Sequence, residues 1–79
     1  YLHGWKGVLQ EVVVRPGSAV EQKAIFEIKL PPDYLIVLVA RGEQFLIPNG
    51  SLVLQAEDRV LGLAKSETHQ KVHQIFQQS

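Results

Sequence analysis

The sequence places one arginine where it could bind an anionic or planar ligand. Arg41 directly follows an unbroken apolar run and therefore ends a predicted strand, with Phe45 and Pro48 shortly after it. A guanidinium beside apolar and aromatic groups can hold an anion through paired hydrogen bonds and can stack on a planar ring. The alternative is a structural arginine that pairs with Glu43 or Glu57 across a turn. If Arg41 binds a ligand, we expect Arg41→Ala to weaken anion binding and to leave the fold intact.

Two histidines have a spacing that could hold a metal ion. His69 and His73 are four residues apart in a predicted helix, so they share one of its faces. The sequence around them is not His-Glu-x-x-His, the pattern that supplies a general base beside a metal. A solvated helix flank is the more common reason for such a pair. We therefore predict no metal site.

The remaining polar residues do not form a catalytic pattern. Asp33 and Asp58 are the only aspartates, and both have the sequence neighbours of ordinary turn residues. No serine lies in a Gly-x-Ser-x-Gly turn, and no glycine-rich phosphate loop is present. The sequence predicts no enzyme, no catalytic residue and no cofactor.

Composition limits the classes of partner. The chain has 79 residues, with eight basic and eight acidic side chains that cancel. This balance argues against a nucleic-acid surface, and a chain of this length forms one small domain of marginal stability. The longest apolar run is far below the ~20 residues that span a bilayer, so we expect a soluble piece. The chain contains no methionine and begins with Tyr1, which favours a piece of a longer protein.

The elements that position these residues follow from local patterns. Ser18 and Glu21 have capping-box spacing and predict a helix over residues 18–29, which the Pro31-Pro32 pair ends. A last helix, capped by Ser66, has an apolar stripe. Strands are predicted at residues 8–14, 34–41, 44–47, 51–55 and 59–64, and the stripe of the last helix consists of Val72, Ile75 and Phe76. The result is a small α+β sandwich of order β-α-β-β-β-β-α, mainly antiparallel, in which residues 1–7 are a linker remnant.

The strand at residues 34–41 is predicted to be covered on both of its faces. Its residues 34–40 contain no polar group except the Tyr34 hydroxyl, whereas a strand with one wet face should alternate. We expect Leu35, Val37, Val39 and Arg41 to share one face. Either helices of this chain cover one face of the strand and sheet covers the other, or a second copy supplies the missing cover. Val37→Asp should then abolish soluble expression.

The order of residues from 15 to 65 resembles the RCK C-terminal domain, also called TrkA-C. The residues that carry the resemblance are Ser18, Lys23, Leu35 to Val39, Arg41, Gly42, Ile47-Pro48 and Asp58-Arg59-Val60-Leu61. Two positions that are usually glycine in this family are Gln22 and Glu57 here. Members that bind cyclic di-AMP generally have an asparagine where this chain has Leu46.

The resemblance implies a domain at residues 8–79 that regulates a potassium channel, uptake system or cation/proton antiporter from the cytoplasmic side of the membrane. Its implied partners are a second copy, the membrane transporter portion of the same or a partner chain, and a nucleotide or cyclic dinucleotide. Arg41, Ile47 and Pro48 match positions that line the cleft between two copies, and Phe45 joins them by its place in the sequence. The alternatives are a structural dimerisation module without a ligand and an amino-acid-binding regulatory domain of a soluble enzyme.

Overall fold

The computed structural model describes residues 7–79, so nearly all of the predicted linker lies outside the described residues. The elements are β1 (Val8–Val13), a short 3-10 helix (Ile25–Glu27), β2 (Leu35–Arg41), β3 (Gln44–Leu46), β4 (Arg59–Ala64) and α1 (Ser66–Gln77). The predicted α+β class, with an antiparallel sheet and a C-terminal helix, is confirmed.

The four strands form one antiparallel sheet in the order β1-β4-β2-β3. A two-residue turn joins β2 to β3, and Gly42 adopts a φ of 59° there, a conformation that suits glycine. The helix α1 lies on one face of the sheet, where Val72 and Phe76 join a buried cluster with Val39 and Val60. The predicted apolar stripe of α1 is thus confirmed.

A bulge in β2 divides its side chains between the two faces of the sheet. Leu35 pairs with Leu63 and Val39 pairs with Val60, with a register shift between Ile36 and Leu38. Since Leu63 and Val60 are three residues apart on one strand, their partners lie on opposite faces. Leu35 is 59% exposed and Val39 is 0% exposed. The prediction that Leu35 and Val39 share a face is therefore wrong, because the extra residue of the bulge reverses the alternation.

The predicted helix over residues 18–29 does not form. Gln22 has a φ of 66°, which a right-handed helix excludes, and Glu21 accepts a hydrogen bond from the Gly17 amide at 2.7 Å. Some backbone hydrogen bonds of this segment go across the molecule, from the Gln22 N–H to the Leu54 carbonyl and from the Leu54 N–H to the Lys23 carbonyl, while others close single turns, such as that from the Glu21 N–H to the Ser18 carbonyl. Tertiary partners and isolated turns thus replace the continuous helical hydrogen bonds, and the 3-10 turn at Ile25–Glu27 is the helical part that forms.

Two smaller predictions also change. The segment 51–55 is not a strand, because it contributes only a single bridge between Val53 and Ala24. Ser66 is the first residue of α1 rather than its cap; Lys65 occupies the cap position and makes no capping hydrogen bond through its side chain.

Two turns hold non-glycine residues in the left-handed region. Gln22 and Glu57 have φ values of 66° and 73°, and these are the two positions where the resembled family usually has glycine. The left-handed conformation costs a residue with a Cβ atom about 1–2 kcal/mol. The departure from the family pattern therefore places local strain in both turns.

We expect Glu57→Gly to raise the free energy of unfolding by about 1 kcal/mol, because glycine removes the penalty of the left-handed conformation. The greater conformational entropy of glycine in the unfolded chain offsets part of this gain. Urea denaturation measures the change. Glu43→Gly is the matched control, since Glu43 is exposed in a turn and is not among the residues with positive φ. A Glu57→Gly protein no more stable than the wild type would contradict the strain.

Candidate functional site

Arg41 forms a two-bond ion pair with Asp58. The Nε and Nη2 atoms of Arg41 donate to Oδ1 and Oδ2 of Asp58 at 2.9 and 2.8 Å, and Nη2 also donates to the Val53 carbonyl at 3.0 Å. The Arg41 side chain is 30% exposed, while that of Asp58 is 1% exposed. The structural interpretation of Arg41 is thus correct in kind, but its partner is Asp58 rather than Glu43 or Glu57.

The carboxylate of Asp58 is held charged inside the protein. Burial by itself raises its pKa, but hydrogen bonds from Arg41 and from the Gln55 backbone, together with the charge of Arg41, outweigh burial and leave the pKa below its ordinary value. The same pair raises the pKa of Arg41, chiefly through the hydrogen bond with Asp58. Both groups therefore stay ionised across the physiological range of pH.

Sequence reasoning placed Asp58 in an ordinary turn and missed its role. The sequence did contain one signal for the pairing of these two residues: Asp58 immediately precedes β4, and Arg41 ends β2. In the observed register Ala40 faces Arg59, which brings Arg41 opposite Asp58. That pairing requires knowing which strands are neighbours, and the sequence alone did not order them.

The predicted ligand residues are divided by the sheet. Phe45 pairs with Ala40 and Arg41 pairs with Gln44, so the side chains of Arg41 and Phe45 leave the hairpin on opposite faces. Phe45 and Ile47 are 78% and 84% exposed. The structure of one copy therefore does not bring Phe45 and Arg41 together on one face.

Pro48 lines an apolar cleft of about 250 Å³ beside the core. The other lining residues are Ile25, Leu30, Tyr34, Ile36, Asn49 and Gly50. These side chains are mostly aliphatic, with the Asn49 amide as a polar group, so the cleft suits a flat or apolar group better than a charged one.

The two histidines have separate surroundings. His69 is buried, its Nε2 lies 2.6 Å from the Val8 carbonyl, and its ring meets that of Tyr34 edge-on with centroids 5.8 Å apart. His73 is exposed. Within residues 7–79, no group of three or more metal-ligating side chains is assembled. His69 therefore serves the packing of α1 against the sheet.

The face of the sheet opposite α1 is mainly apolar and is uncovered in a single copy. Leu9, Leu63 and Leu35 are register partners across three strands, and Leu9 and Leu35 are both largely exposed. We call this surface the outer face; it also carries the apolar residues Val13, Leu38, Phe45 and Leu61 and the charged residues Glu11 and Arg59. A solvent-exposed patch of this kind is typical of an interaction surface.

The fold is that of an RCK domain. A solved structure of an RCK domain with cda matches this chain with a TM-score of 0.75, covering 85% of this chain and 94% of that one at 19% sequence identity. The TrkA-C domain family matches residues 9–77, and the chain belongs to this family. The resemblance inferred from the residues is thereby confirmed.

A curated relative comes from the archaeon Archaeoglobus fulgidus. This chain is 39% identical over 66 residues to its Trk system potassium uptake protein TrkA homolog, covering 84% of this chain and 15% of that protein. The chain therefore spans a small part of this relative's length. Among residues 7–79 of this chain, no helix has the length and apolar character needed to cross a bilayer.

Proposed function

We propose that this TrkA-C domain is the regulatory, ligand-binding and dimer-forming domain of a potassium transport system, acting on the cytoplasmic side of the membrane. Membership of the TrkA-C family over residues 9–77 carries the proposal, and the relationship to a Trk system potassium uptake protein supports the transport role. The transporter portion, on the same or a partner chain, is the second partner.

The outer face supports the proposal that a second copy of the chain is one partner of this domain. A two-fold dimer buries the same patch on both molecules, so each exposed leucine contributes twice. The outer face combines aliphatic side chains on the rigid strands β1, β4 and β2. Such a surface can be covered with little loss of side-chain entropy, which favours association.

The ligand site is proposed at Arg41, Phe45, Ile47 and Pro48, at the end of the sheet formed by β2 and β3. Phe45 belongs to the outer face that a second copy would cover, and Arg41 reaches the site from the opposite face. Nη1 of Arg41 has no acceptor among residues 7–79, because only Nε and Nη2 are engaged. Its two N–H groups can meet a phosphate oxygen, while the exposed Ile47 and Phe45 and the ring of Pro48 can cover a base. A nucleotide or cyclic dinucleotide has both parts, and the solved RCK domain with cda has this fold.

Regulation requires that the ligand prefer one arrangement of the two copies. A ligand that binds two arrangements equally shifts neither, however tightly it binds. A ligand between two copies meets this requirement, because its contacts change when the copies move.

We expect a nucleotide or cyclic dinucleotide to bind this domain and Arg41→Lys to weaken that binding at least about tenfold, because lysine keeps the charge but loses the planar set of donors. Isothermal titration calorimetry with adenine nucleotides, cyclic dinucleotides and monovalent and divalent cations is the measurement. Arg15→Lys is the control, since Arg15 is an exposed arginine that contacts Gln77 at the end of α1.

A structural dimerisation module without a ligand is the second candidate function. The ion pair between Arg41 and Asp58 favours it, because it gives Arg41 a role without any ligand. No heat from any compound in the calorimetric panel would favour this second candidate instead.

We expect Leu35→Asp to leave the domain folded and to weaken dimerisation by about a hundredfold or more, because each copy loses a buried leucine and gains a charge at the interface. Sedimentation equilibrium over a range of concentrations gives the dissociation constant. Phe26→Asp is the control, since Phe26 is a similarly exposed apolar residue that lies outside the sheet.

A wild-type protein that stays monomeric at high concentration would refute the dimer. Unchanged dimerisation of Leu35→Asp would place the interface elsewhere. The sequence led us to expect that Val37→Asp abolishes soluble expression. Val37 lies at the bulge and is partly exposed, so a charge there need not enter the core.

A further inference from the structure

We propose that Asp58 is the positioning residue of the ligand site: it orients Arg41 so that Nη1 remains available to an anion. The inference rests on the proposed function, because it concerns the same site. It adds a residue that does not touch the ligand and acts through the guanidinium.

The orientation of Arg41 is determined at three points. Nε and Nη2 donate to the two carboxylate oxygens of Asp58, and the second N–H of Nη2 is directed to the Val53 carbonyl. Because the guanidinium is planar, these contacts fix its plane and its rotation together. Among residues 7–79 only Nη1 then lacks an acceptor, so it is the atom that an incoming anion meets.

Asp58 is itself held in place by the backbone around it. Its Oδ2 accepts from the Gln55 N–H at 2.9 Å, its own N–H donates to the Gln55 carbonyl at 3.1 Å, and its carbonyl accepts from the Val14 N–H at 2.8 Å. The carboxylate is almost fully buried. The turn at residues 55–58 therefore provides a rigid partner rather than a flexible surface charge.

This rigidity reduces the conformational entropy that the protein loses when a ligand binds. Immobilising a long side chain on binding lowers affinity, and up to about tenfold is the usual size for one such chain. Here the folded protein has already immobilised Arg41. The negative charge of Asp58 has the opposite influence on an anion, since it repels one. Positioning and charge therefore predict opposite signs for the loss of Asp58.

The test is a titration with inorganic sulfate, whose charge is constant near neutral pH, followed by the NMR signal of the Arg41 Nε–H group and by backbone amide shifts. The proteins are the wild type, Asp58→Asn, Arg41→Lys and the double variant. We expect Asp58→Asn to bind sulfate about tenfold more weakly than the wild type and to have no such effect in the Arg41→Lys background, where the planar group is missing.

Asp58→Glu keeps the charge and moves the carboxylate by one methylene. We therefore expect this variant, too, to bind sulfate more weakly than the wild type. It decides the question if Asp58→Asn does not fold. Sulfate binding by Asp58→Asn that equals or exceeds that of the wild type overturns the positioning role, as does an equal loss in the Arg41→Lys background. A wild type whose Arg41 signal does not respond to sulfate rejects the proposed site itself, which is a different result because no Asp58 variant enters it.

Discussion

Arg41→Ala is expected to lower the free energy of unfolding by about 3 kcal/mol, because it leaves the buried carboxylate of Asp58 without its ion-pair partner. A domain of this size has roughly 5–10 kcal/mol in total, so the loss is a large part of its stability. The remaining hydrogen bond from Gln55 to Asp58 cannot replace the two from Arg41. This replaces the expectation from sequence that Arg41→Ala leaves the fold intact.

Urea denaturation of Arg41→Ala and of the double variant Arg41→Ala/Asp58→Asn measures this effect. Because the double variant removes the unpaired charge together with its partner, it should be more stable than the single variant. Arg59→Ala is the control, since Arg59 is exposed and, among residues 7–79, its side chain donates only to the Gly42 carbonyl. A loss in Arg41→Ala no greater than in Arg59→Ala would contradict the structural role.

The dependence on pH has a definite sign. The folded-state pKa of Asp58 lies below its ordinary value, so the folded protein binds the proton less readily than the unfolded chain. The contribution of the pair is therefore complete above the unfolded pKa, at about 3.9, and is lost as the pH falls through the folded value. Wild-type stability should fall in this acidic range by more than that of Asp58→Asn.

The second large effect is expected for Gly62→Ala. A Cβ atom at Gly62 would overlap the hydroxyl and ring carbons of Tyr34, which lies directly over this glycine. Tyr34 is packed against the core cluster and against His69, and burial raises its pKa to about 12. Because the ring cannot stay in place, we expect a loss of about 3 kcal/mol in the free energy of unfolding.

The clash can be tested by restoring the space. In the Gly62→Ala background, Tyr34→Ala should cost little or should regain stability, whereas in the wild type Tyr34→Ala should be strongly destabilising. Gly50→Ala is the matched control, since its Cβ atom would meet Phe26 at an ordinary 3.5 Å. Additive effects of Gly62→Ala and Tyr34→Ala would show that the two residues do not compete for one space.

Local sequence signals were sufficient where the chain interacts mainly with its neighbours. The turn at Gly42 and the strand predicted at residues 59–64 agree with the observed strands within a residue or two, and the stripe of Val72 and Phe76 predicted α1. The family resemblance also depends on these local patterns, with Ile47-Pro48 and Asp58 at the expected intervals. Arg41 was recognised as unusual because a charge follows an apolar strand.

Tertiary structure decided the rest, because those features depend on which distant groups meet. The Ser18 and Glu21 spacing favours a helix locally, but backbone partners at Leu54 and a left-handed residue at Gln22 exclude it. The bulge in β2 decides which side chains reach the outer face. The partner of Arg41 is 17 residues away, and only the pairing of β2 with β4 brings it into contact. A hydrogen bond between distant segments depends on geometry that no local pattern contains.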